Sequence, residues 1–322
     1  MSALRFYAAD AVHAALSLPA LADAIAQALR DGVSAPLRHA HSISRNDSLL
    51  LMPAWSTQDH GAIGVKLVTV FPGNTANVKA AGECSTPTVN AVYVLFDRHN
   101  GAPRAVIDGE ALTLRRTAAA SLLAARYLAP ADVRTVLIVG TGRLARFMAH
   151  AHCSGRAVER LLIWGRNTER AQTLASALRA DGLPAERADH LQRAVSDAQI
   201  ISCATTATEP VVCGAWLSPG AHLDLVGSFK RNMREVDDAA VQRALIYVDT
   251  FAGAFAEAGD IVEPLERGVI SRADVVAELG ELVSKQAEGR RSKDDITLFK
   301  SVGTAIEDLA AAQMLLRVTG AA

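Results

Sequence analysis

The chain has 322 residues, half of them hydrophobic, and its 33 basic and 34 acidic residues leave a formal net charge of −1. This length predicts two domains with substantial cores, and the balanced charge without basic tracts argues against a nucleic-acid or acidic membrane-surface partner. The four cysteines lack C-x-x-C spacing and the N-terminal segment lacks a signal-peptide pattern, so we expect free thiols in a cytoplasmic protein without membrane spans.

The first third of the chain predicts an α+β domain with an antiparallel sheet. Residues 11–31 have helical apolar spacing, and Gly32 follows as a helix end. Strand-like runs are predicted at 48–53, 63–71, 89–97 and 103–108, the last two joined by a turn at 99–101. A helical pattern with a small-residue face then runs from Thr113 to Pro130.

The middle of the chain alternates strands and helices in the manner of a doubly wound parallel sheet. The predicted strands are 133–139, 160–164, 200–205, 221–226 and 245–249, with helices at 142–153 and 168–180 and a short third unit around 184–195. The tail from Thr297 through Leu316 has a helical pattern that we expect to pack back on the first domain. The predicted fold class is therefore α/β, a Rossmann domain at 116–297 plus a discontinuous α+β domain at 1–115 completed by 298–322.

A glycine-rich turn follows the first strand of the middle region. Residues 133–139 run directly into Gly140-Thr141-Gly142, with Ala145 three residues later and a helical pattern beyond. In this G-x-G-x-x-A form, glycines permit a tight turn and close backbone approach to a pyrophosphate, which faces the helix N-terminus. Because strand, turn and helix occur in the required order, the turn predicts a dinucleotide site; the alternative is a purely structural turn.

The residues after the second strand favour NADPH over NADH. NAD-specific folds usually place a carboxylate roughly 20 residues past the glycines. Here no carboxylate occurs until Glu169, which lies inside the next predicted helix. Arg166 instead offers a positive fork for a 2′-phosphate, with Asn167 and Thr168 as hydrogen-bond donors. The alternative is a solvated arginine in a turn, with Thr168 as the helix N-cap.

Basic residues outside the Rossmann region are candidates for substrate binding. Arg38 lies on an extended segment, Lys66 lies inside the apolar run GVKLVTVF, and Arg115 and Arg116 open the long helix. Together they could clamp a carboxylate, and a desolvated Lys66 could have a pKa low enough to donate a proton. The alternative for a lysine within a strand is a solvated face. No His or Cys spacing predicts a metal site.

Six stretches distributed over nearly the whole chain match one family pattern. They are PLR at 36–38, GVKLVTVFPGN at 64–74, DGEALTLRRTAAAS at 108–121, VGTGRLA at 139–145, ATTATEP at 204–210 and GRRSKDDITLFKSVGTAIEDLAAA at 289–312. With these motifs the chain resembles the ornithine cyclodeaminase/μ-crystallin family. The resemblance implies a homodimer with an N-terminal substrate and dimerisation domain, completed by the C-terminal helix, around a Rossmann domain.

The resemblance also implies a set of site residues. Arg38 and Lys66 resemble the catalytic residues that bind the substrate carboxylate. The implied substrate pocket consists of Met52, Phe229, Val302 and Gly303. The residues predicted to bind the cofactor are Thr88, Arg116, Gly140, Thr141, Gly142, Arg143, Leu144, Arg166, Asn167, Thr168, Thr205, Val226, Gly227, Ser228, Lys300 and Ser301.

One loop departs from the pattern of the cyclodeaminating members. Those members carry an aspartate shortly after the glycine of the loop that follows the fifth strand, whereas Phe229 stands there in this chain. Phenylalanine cannot exchange a proton, and Asp224, upstream in the strand, is a weak substitute. Together with Arg166, this departure favours the reductases of the family.

The resemblance therefore implies an NADPH-dependent reductase of cyclic ketimines. Such enzymes convert Δ1-pyrroline-2-carboxylate to L-proline, or Δ1-piperideine-2-carboxylate to L-pipecolate. Because a protonated imine is already electrophilic, the step needs mainly orientation of the substrate, with Lys66 or bound water as the proton source. The alternatives are an NAD-dependent ornithine cyclodeaminase, a cofactor-loaded non-catalytic binding protein of the crystallin type, and a reductive aminase of open-chain keto acids.

Overall fold

A computed structural model describes residues 4–57, 61–74 and 86–320. The chain divides into two compact units, Met1–Arg116 with Thr304–Ala322, and Thr117–Gly303. The boundary between the units falls within one long helix, Gly109–Leu128.

The secondary structure of the described residues follows the predicted alternation closely. The strands are β1 (Arg5–Tyr7), β2 (Val33–Ser34), β3 (His39–Ser42), β4 (Ser48–Ser56), β5 (Ala62–Val70), β6 (Val89–Asp97), β7 (Pro103–Asp108), β8 (Thr135–Val139), β9 (Arg160–Trp164), β10 (Ala185–Arg187), β11 (Ile200–Cys203), β12 (His222–Leu225), β13 (Leu245–Val248), β14 (Val275–Glu278) and β15 (Thr297–Lys300). The helices are α1 (Ala9–Ala15), α2 (Leu18–Asp31), α3 (Gly109–Leu128), α4 (Arg143–Cys153), α5 (Thr168–Ala180), α6 (Leu191–Asp197), α7 (Asp238–Arg243), α8 (Phe251–Glu257), α9 (Gly259–Glu266), α10 (Leu279–Val283) and α11 (Ala305–Val318).

The first unit is built on a seven-stranded sheet with the order β1-β7-β6-β5-β4-β2, to which β3 adds beside β4. Its pairings are antiparallel except for β1 with β7. Alternation along the strands places Met52, Lys66 and Tyr93 on one buried face, where α11 packs against β4 and β5. The opposite face is also apolar, and its side chains, including Trp55 and Val94, remain partly exposed.

The second unit contains an eight-stranded, wholly parallel sheet with the order β10-β9-β8-β11-β12-β15-β13-β14. Every residue of β8, β11 and β12 is buried, as expected for central strands covered on both faces. The predicted Rossmann sheet with a second α+β part is thereby confirmed.

The tail of the chain differs from its prediction. Thr297–Lys300 forms strand β15, which lies between β12 and β13, rather than the start of a helix. Residues 298–303 therefore belong to the second unit, although the sequence division placed 298–322 with the first domain. The reason is that a short, fully buried apolar run such as TLFK cannot be assigned to helix or strand by periodicity alone.

Three further elements bear on the predictions. The long helix begins at Gly109 rather than at Thr113, and β1 and β14 were not predicted. Among the described residues, no single helix is long and apolar enough to cross a membrane, and α1 with α2 would qualify only as a pair across an 84° bend.

Candidate functional site

Lys66 lies in the middle of β5, opposite Met52 on β4 and Tyr93 on β6. Its side chain is only 3 % exposed, so the solvated-face interpretation is wrong. Its Nζ lies 3.0 Å from Oδ1 and 2.8 Å from Oδ2 of Asp308, and 3.4 Å from Oγ1 of Thr113. The lysine is therefore a buried cation held by a carboxylate of α11.

The surroundings of Lys66 make its ammonium group a better proton donor than that of a solvated lysine. Burial lowers its pKa, Asp308 raises it in part, and the nearby cations Arg116 and Arg38 lower it again, to about 8. Lys66 is thus mostly protonated at neutral pH, while its proton can be transferred at little cost. This environment suits a group that binds a carboxylate or protonates a nitrogen.

Arg116 has two buried carboxylate partners. Its Nη1 lies 2.6 Å from Oε2 of Glu307, and its Nε lies 3.1 Å from Oδ1 of Asp308. Burial alone would raise the pKa of Asp308, but Lys66 and Arg116 hold it below its ordinary value. The predicted contact of Arg116 with the cofactor stays a prediction, and the neighbouring Arg115 instead donates to the carbonyl of His13 at 2.7 Å.

Sequence reasoning missed Glu307 and Asp308. A signal was present, because both acids lie in the IEDLAAA part of a family motif, at the start of a helix whose other residues are almost all apolar. Lys66 and Arg116 are paired with these two carboxylates, and the half-buried Arg38 is close enough to lower the pKa of Lys66. Neighbouring basic side chains of this kind suit an anionic ligand such as a carboxylate.

Tyr93 packs beside this cluster. Its side chain is fully buried, and its hydroxyl has no hydrogen-bond partner among the described residues. A Cβ at Gly64 would overlap the ring of Tyr93, so the glycine of the GVK motif makes room for that ring. The family motif around Lys66 is therefore partly a packing requirement.

The predicted dinucleotide turn has the expected order of elements. Gly140 follows β8 directly with φ of 127°, a conformation that favours glycine, and α4 begins at Arg143. A Cβ at Gly140 would lie 2.5 Å from the carbonyl oxygen of Ala204, whereas one at Gly142 would meet no atom within 4 Å. The open space beside Gly142, at a helix N-terminus, fits a pyrophosphate group.

The remaining predicted cofactor residues of the second unit follow the carboxyl ends of its strands. In register, Val139 lies beside Cys203, which lies beside Leu225, which lies beside Lys300. Ligands of open α/β sheets bind outside this edge. The residues that emerge there and were predicted to bind the cofactor are Thr141, Leu144, Thr205, Val226, Gly227, Ser228, Lys300 and Ser301.

Two of these side chains have buried partners. Ser228 donates a hydrogen bond to Oδ2 of Asp260, and Nζ of Lys300 lies 3.5 Å from the same oxygen, with Ser228 and Lys300 both fully buried. Their predicted cofactor contacts stay predictions. Asp249 similarly accepts from the backbone N–H groups of Val302 at 2.8 Å and Gly303 at 2.7 Å, so it fixes two residues of the predicted pocket. Neither Asp260 nor Asp249 was predicted.

The turn after β9 is exposed. Arg166 and Thr168 are accessible, and Oδ1 of Asn167 accepts from the N–H of Arg170 at 2.9 Å. Asn167, not Thr168, is therefore the N-cap of α5, which corrects the alternative proposed from the sequence.

Two other predicted site residues are at least partly accessible to solvent: the Phe229 side chain is 38 % exposed and Thr88 is half-buried.

Asp224 lies in β12, upstream of the loop that contains Phe229. Its Oδ2 lies 2.8 Å from Nε2 of His152 and accepts from Oγ of Ser202 at 2.8 Å, and all three residues are fully buried.

The cysteines of the described residues are not cross-linked. Cys153, Cys203 and Cys213 are free thiols, while Cys84 lies outside the described residues. In the described part of the chain, no three His, Cys, Asp or Glu side chains are grouped so as to hold a metal ion.

Comparison with known proteins agrees with this arrangement. The sequence profile of the ornithine cyclodeaminase/mu-crystallin family matches residues 5–318. Protein SAR DEFICIENT 4 of Arabidopsis thaliana is 41 % identical over 289 residues, which cover 88 % of this chain and 86 % of that protein. The Δ1-pyrroline-2-carboxylate reductase of Paracoccus denitrificans is 37 % identical over 301 residues, covering 90 % of this chain and 92 % of that enzyme.

A solved structure is similar over the full fold. The Δ1-pyrroline-2-carboxylate reductase of Thermococcus litoralis, in complex with NADH and L-proline, superposes with a TM-score of 0.91 at 32 % identity. The alignment covers 98 % of this chain and 97 % of that chain.

Proposed function

The chain belongs to the ornithine cyclodeaminase/mu-crystallin family, and from this premise we propose that it reduces Δ1-pyrroline-2-carboxylate to L-proline with NADPH. In coarser terms it is a nicotinamide-dependent oxidoreductase that acts on C=N bonds. The observation that carries the proposal is the buried Lys66, whose Nζ is paired with Asp308 beside Arg116 and whose pKa is lowered to about 8.

In the proposed reaction the basic residues bind and orient the substrate. Lys66 and Arg38 hold the carboxylate, so that the imine carbon is fixed for reduction and little further rearrangement is needed. NADPH, when bound beside the carboxyl ends of the parallel strands, would supply the hydride for that carbon. The proton on the ring nitrogen comes from Lys66 or from a water beside it. A proton from solvent then restores the Lys66 ammonium group, which Asp308 stabilises as an ion pair. Phe229 would provide an apolar wall for the ring.

The choice of NADPH rests on Arg166. This exposed arginine follows β9 in a turn that lacks a carboxylate, and a guanidinium can bind a 2′-phosphate in a bidentate manner. The similar Thermococcus litoralis enzyme was solved with NADH, so the two nucleotides must be compared directly.

Two features argue against ornithine cyclodeamination. Phe229 occupies the loop position where a proton-exchanging group is required, and Asp224 is engaged by His152 and Ser202 in the core. A binding protein without turnover is disfavoured because Arg38, Lys66 and Arg116 are all retained, and the turnover assay below tests it directly.

The expected homodimer is supported by the outer face of the first sheet. Leu51, Trp55, Val65, Val94 and Phe96 alternate with the core residues and remain partly exposed on neighbouring strands. Monomers rarely expose so continuous an apolar surface. We expect twice the chain mass in light scattering and a shift toward monomer in Trp55→Asp, whereas a monomeric wild type would contradict the proposal.

The function is tested by following NADPH oxidation with three substrates: Δ1-pyrroline-2-carboxylate, Δ1-piperideine-2-carboxylate, and pyruvate with ammonia. We expect the cyclic imines to be reduced, and NADPH to have a lower KM than NADH. Ammonia release from ornithine with catalytic NAD, in the absence of imine reduction, would overturn the proposal in favour of the lyase.

A further inference from the structure

Two loops that leave neighbouring strands of the parallel sheet are joined by one buried carboxylate. Oε1 of Glu235 accepts from the backbone N–H of Thr205 at 2.7 Å and from its hydroxyl at 2.8 Å. Oε2 of Glu235 accepts from the backbone N–H of Gly227 at 2.8 Å. Thr205 follows β11 and Gly227 follows β12, so a single side chain ties together the carboxyl ends of both strands.

The same loops are also in direct backbone contact. A Cβ at Gly227 would lie 2.5 Å from the backbone nitrogen of Thr205, and one at Gly140 would lie 2.5 Å from the carbonyl oxygen of Ala204. The dinucleotide turn, the loop after β11 and the loop after β12 therefore form one packed row. A shift in any of the three would move the others.

Glu235 is itself held in place by a second buried acid. Oδ1 of Asp260 accepts from the N–H of Glu235 at 2.8 Å and from the N–H of Val236 at 3.2 Å. A Cβ at Gly259 would lie 2.7 Å from the carbonyl oxygen of Lys230, so α9 starts tightly against the same loop. The carboxylate of Glu235 thus approaches Thr205 and Gly227 from a fixed backbone.

We propose that Glu235 is a positioning residue for the cofactor, because it fixes the two loops whose residues Thr205 and Gly227 are predicted to contact the nicotinamide nucleotide. The inference rests on the proposed cofactor site, and it assigns Glu235 no contact with the substrate. It differs from a purely structural role in what it predicts: loss of Glu235 affects dinucleotide binding first.

Protonation should weaken the hold of Glu235. Burial raises its pKa, Lys300 lowers it, and Asp260 raises it again, to about 7. The charged or titratable groups that face it are Lys300 on β15, Asp260 on α9 and Cys203 on β11. A protonated carboxyl would place a hydroxyl donor against N–H donors, so dinucleotide affinity should fall as the pH decreases through 7.

The test compares Glu235→Gln with Asp237→Asn in the full-length protein. The amide of a glutamine would set one NH2 donor against the N–H of Gly227 or Thr205, while Lys300 keeps Asp260 as its partner. Asp237→Asn makes the same acid-to-amide change two residues away, at a side chain that accepts from Gly214 and Ala240 instead. NADPH and NADH dissociation constants are measured by fluorescence titration from pH 6 to pH 8, with kcat and KM determined alongside.

We expect Glu235→Gln to weaken dinucleotide binding about tenfold, the effect of one unsatisfied buried donor, and to lose the pH dependence of binding near 7. Its KM for the imino acid should change little, and Asp237→Asn should bind dinucleotide like the wild type. Unchanged affinity and pH dependence in a folded Glu235→Gln would overturn the inference while leaving the proposed function intact. A wild type that binds no dinucleotide would overturn both.

Hydrogen exchange of the wild type gives a second test if Glu235→Gln does not fold. Dinucleotide binding should slow exchange in residues 204–207 and 226–229 together, because Glu235 couples the two loops. Protection confined to one of these loops would overturn the inference.

Discussion

Both units bury a cluster of acidic and basic side chains, but the acidic side chains of the two clusters bind different groups. In the first unit, Asp308 and Glu307 form ion pairs with the side chains of Lys66 and Arg116. In the second unit, Glu235 and Asp260 mainly hold backbone N–H groups. The comparison suggests that the first cluster acts by its charge and pKa, whereas the second acts by the shape that it gives to loops.

The largest expected effect comes from Lys66→Ala. Loss of the group that binds the carboxylate and supplies the proton should lower kcat/KM for the imine about 10³-fold, within the usual range for an acid–base group. NADPH affinity, measured by fluorescence titration, should remain nearly unchanged, and Arg115→Ala is the matched control because that arginine contacts His13 instead. Equal losses of catalysis and of NADPH binding would place Lys66 outside the substrate site.

Asp308→Asn tests whether the first cluster acts through the pKa of Lys66. Asp308 raises that pKa, so its removal should lower the pKa below about 8 and move the alkaline limb of the kcat/KM profile to lower pH. A fall of one pKa unit would reduce the protonated fraction of Lys66 at pH 8 from about one half to about one tenth, so the rate at that pH should fall about fivefold. Glu307→Gln alters a partner of Arg116 but not of Lys66, so its alkaline limb should stay in place. An unmoved limb in Asp308→Asn would mean that Lys66 does not titrate in the rate-determining step.

Arg166→Ala tests the selectivity for NADPH over NADH. We expect this selectivity to depend on one exposed side chain of the second unit. The KM for NADPH should rise about tenfold, because a charge-assisted bidentate contact is lost, while the KM for NADH should not change. Arg170→Ala removes a neighbouring exposed arginine as the control. Equal effects on both nucleotides would contradict a contact with the 2′-phosphate.

The contrast between the clusters also shows what the sequence could predict. Strand and helix order, the Gly140 turn and the cations of the first unit were readable, since periodicity, glycine spacing and a lysine in an apolar run are local signals. Asp308 lies 242 residues from Lys66, and Asp260 lies 32 residues from Ser228, so their pairing is visible only in the fold. Strand β15 was missed for a related reason, because its burial depends on neighbours distant in sequence.

The smallest expected effect concerns Asn167, for which the structure offers a backbone role and the sequence a ligand role. Because Oδ1 of Asn167 accepts from the N–H of Arg170, Asn167→Ala should lower the free energy of unfolding by about 1 kcal/mol, the usual cost of losing an N-cap. Thr168→Ala keeps the cap and should unfold in urea like the wild type. If Asn167 also donates to a 2′-phosphate, Asn167→Ala should weaken NADPH binding and spare NADH. A stability loss of equal size in Thr168→Ala would instead assign the cap to Thr168.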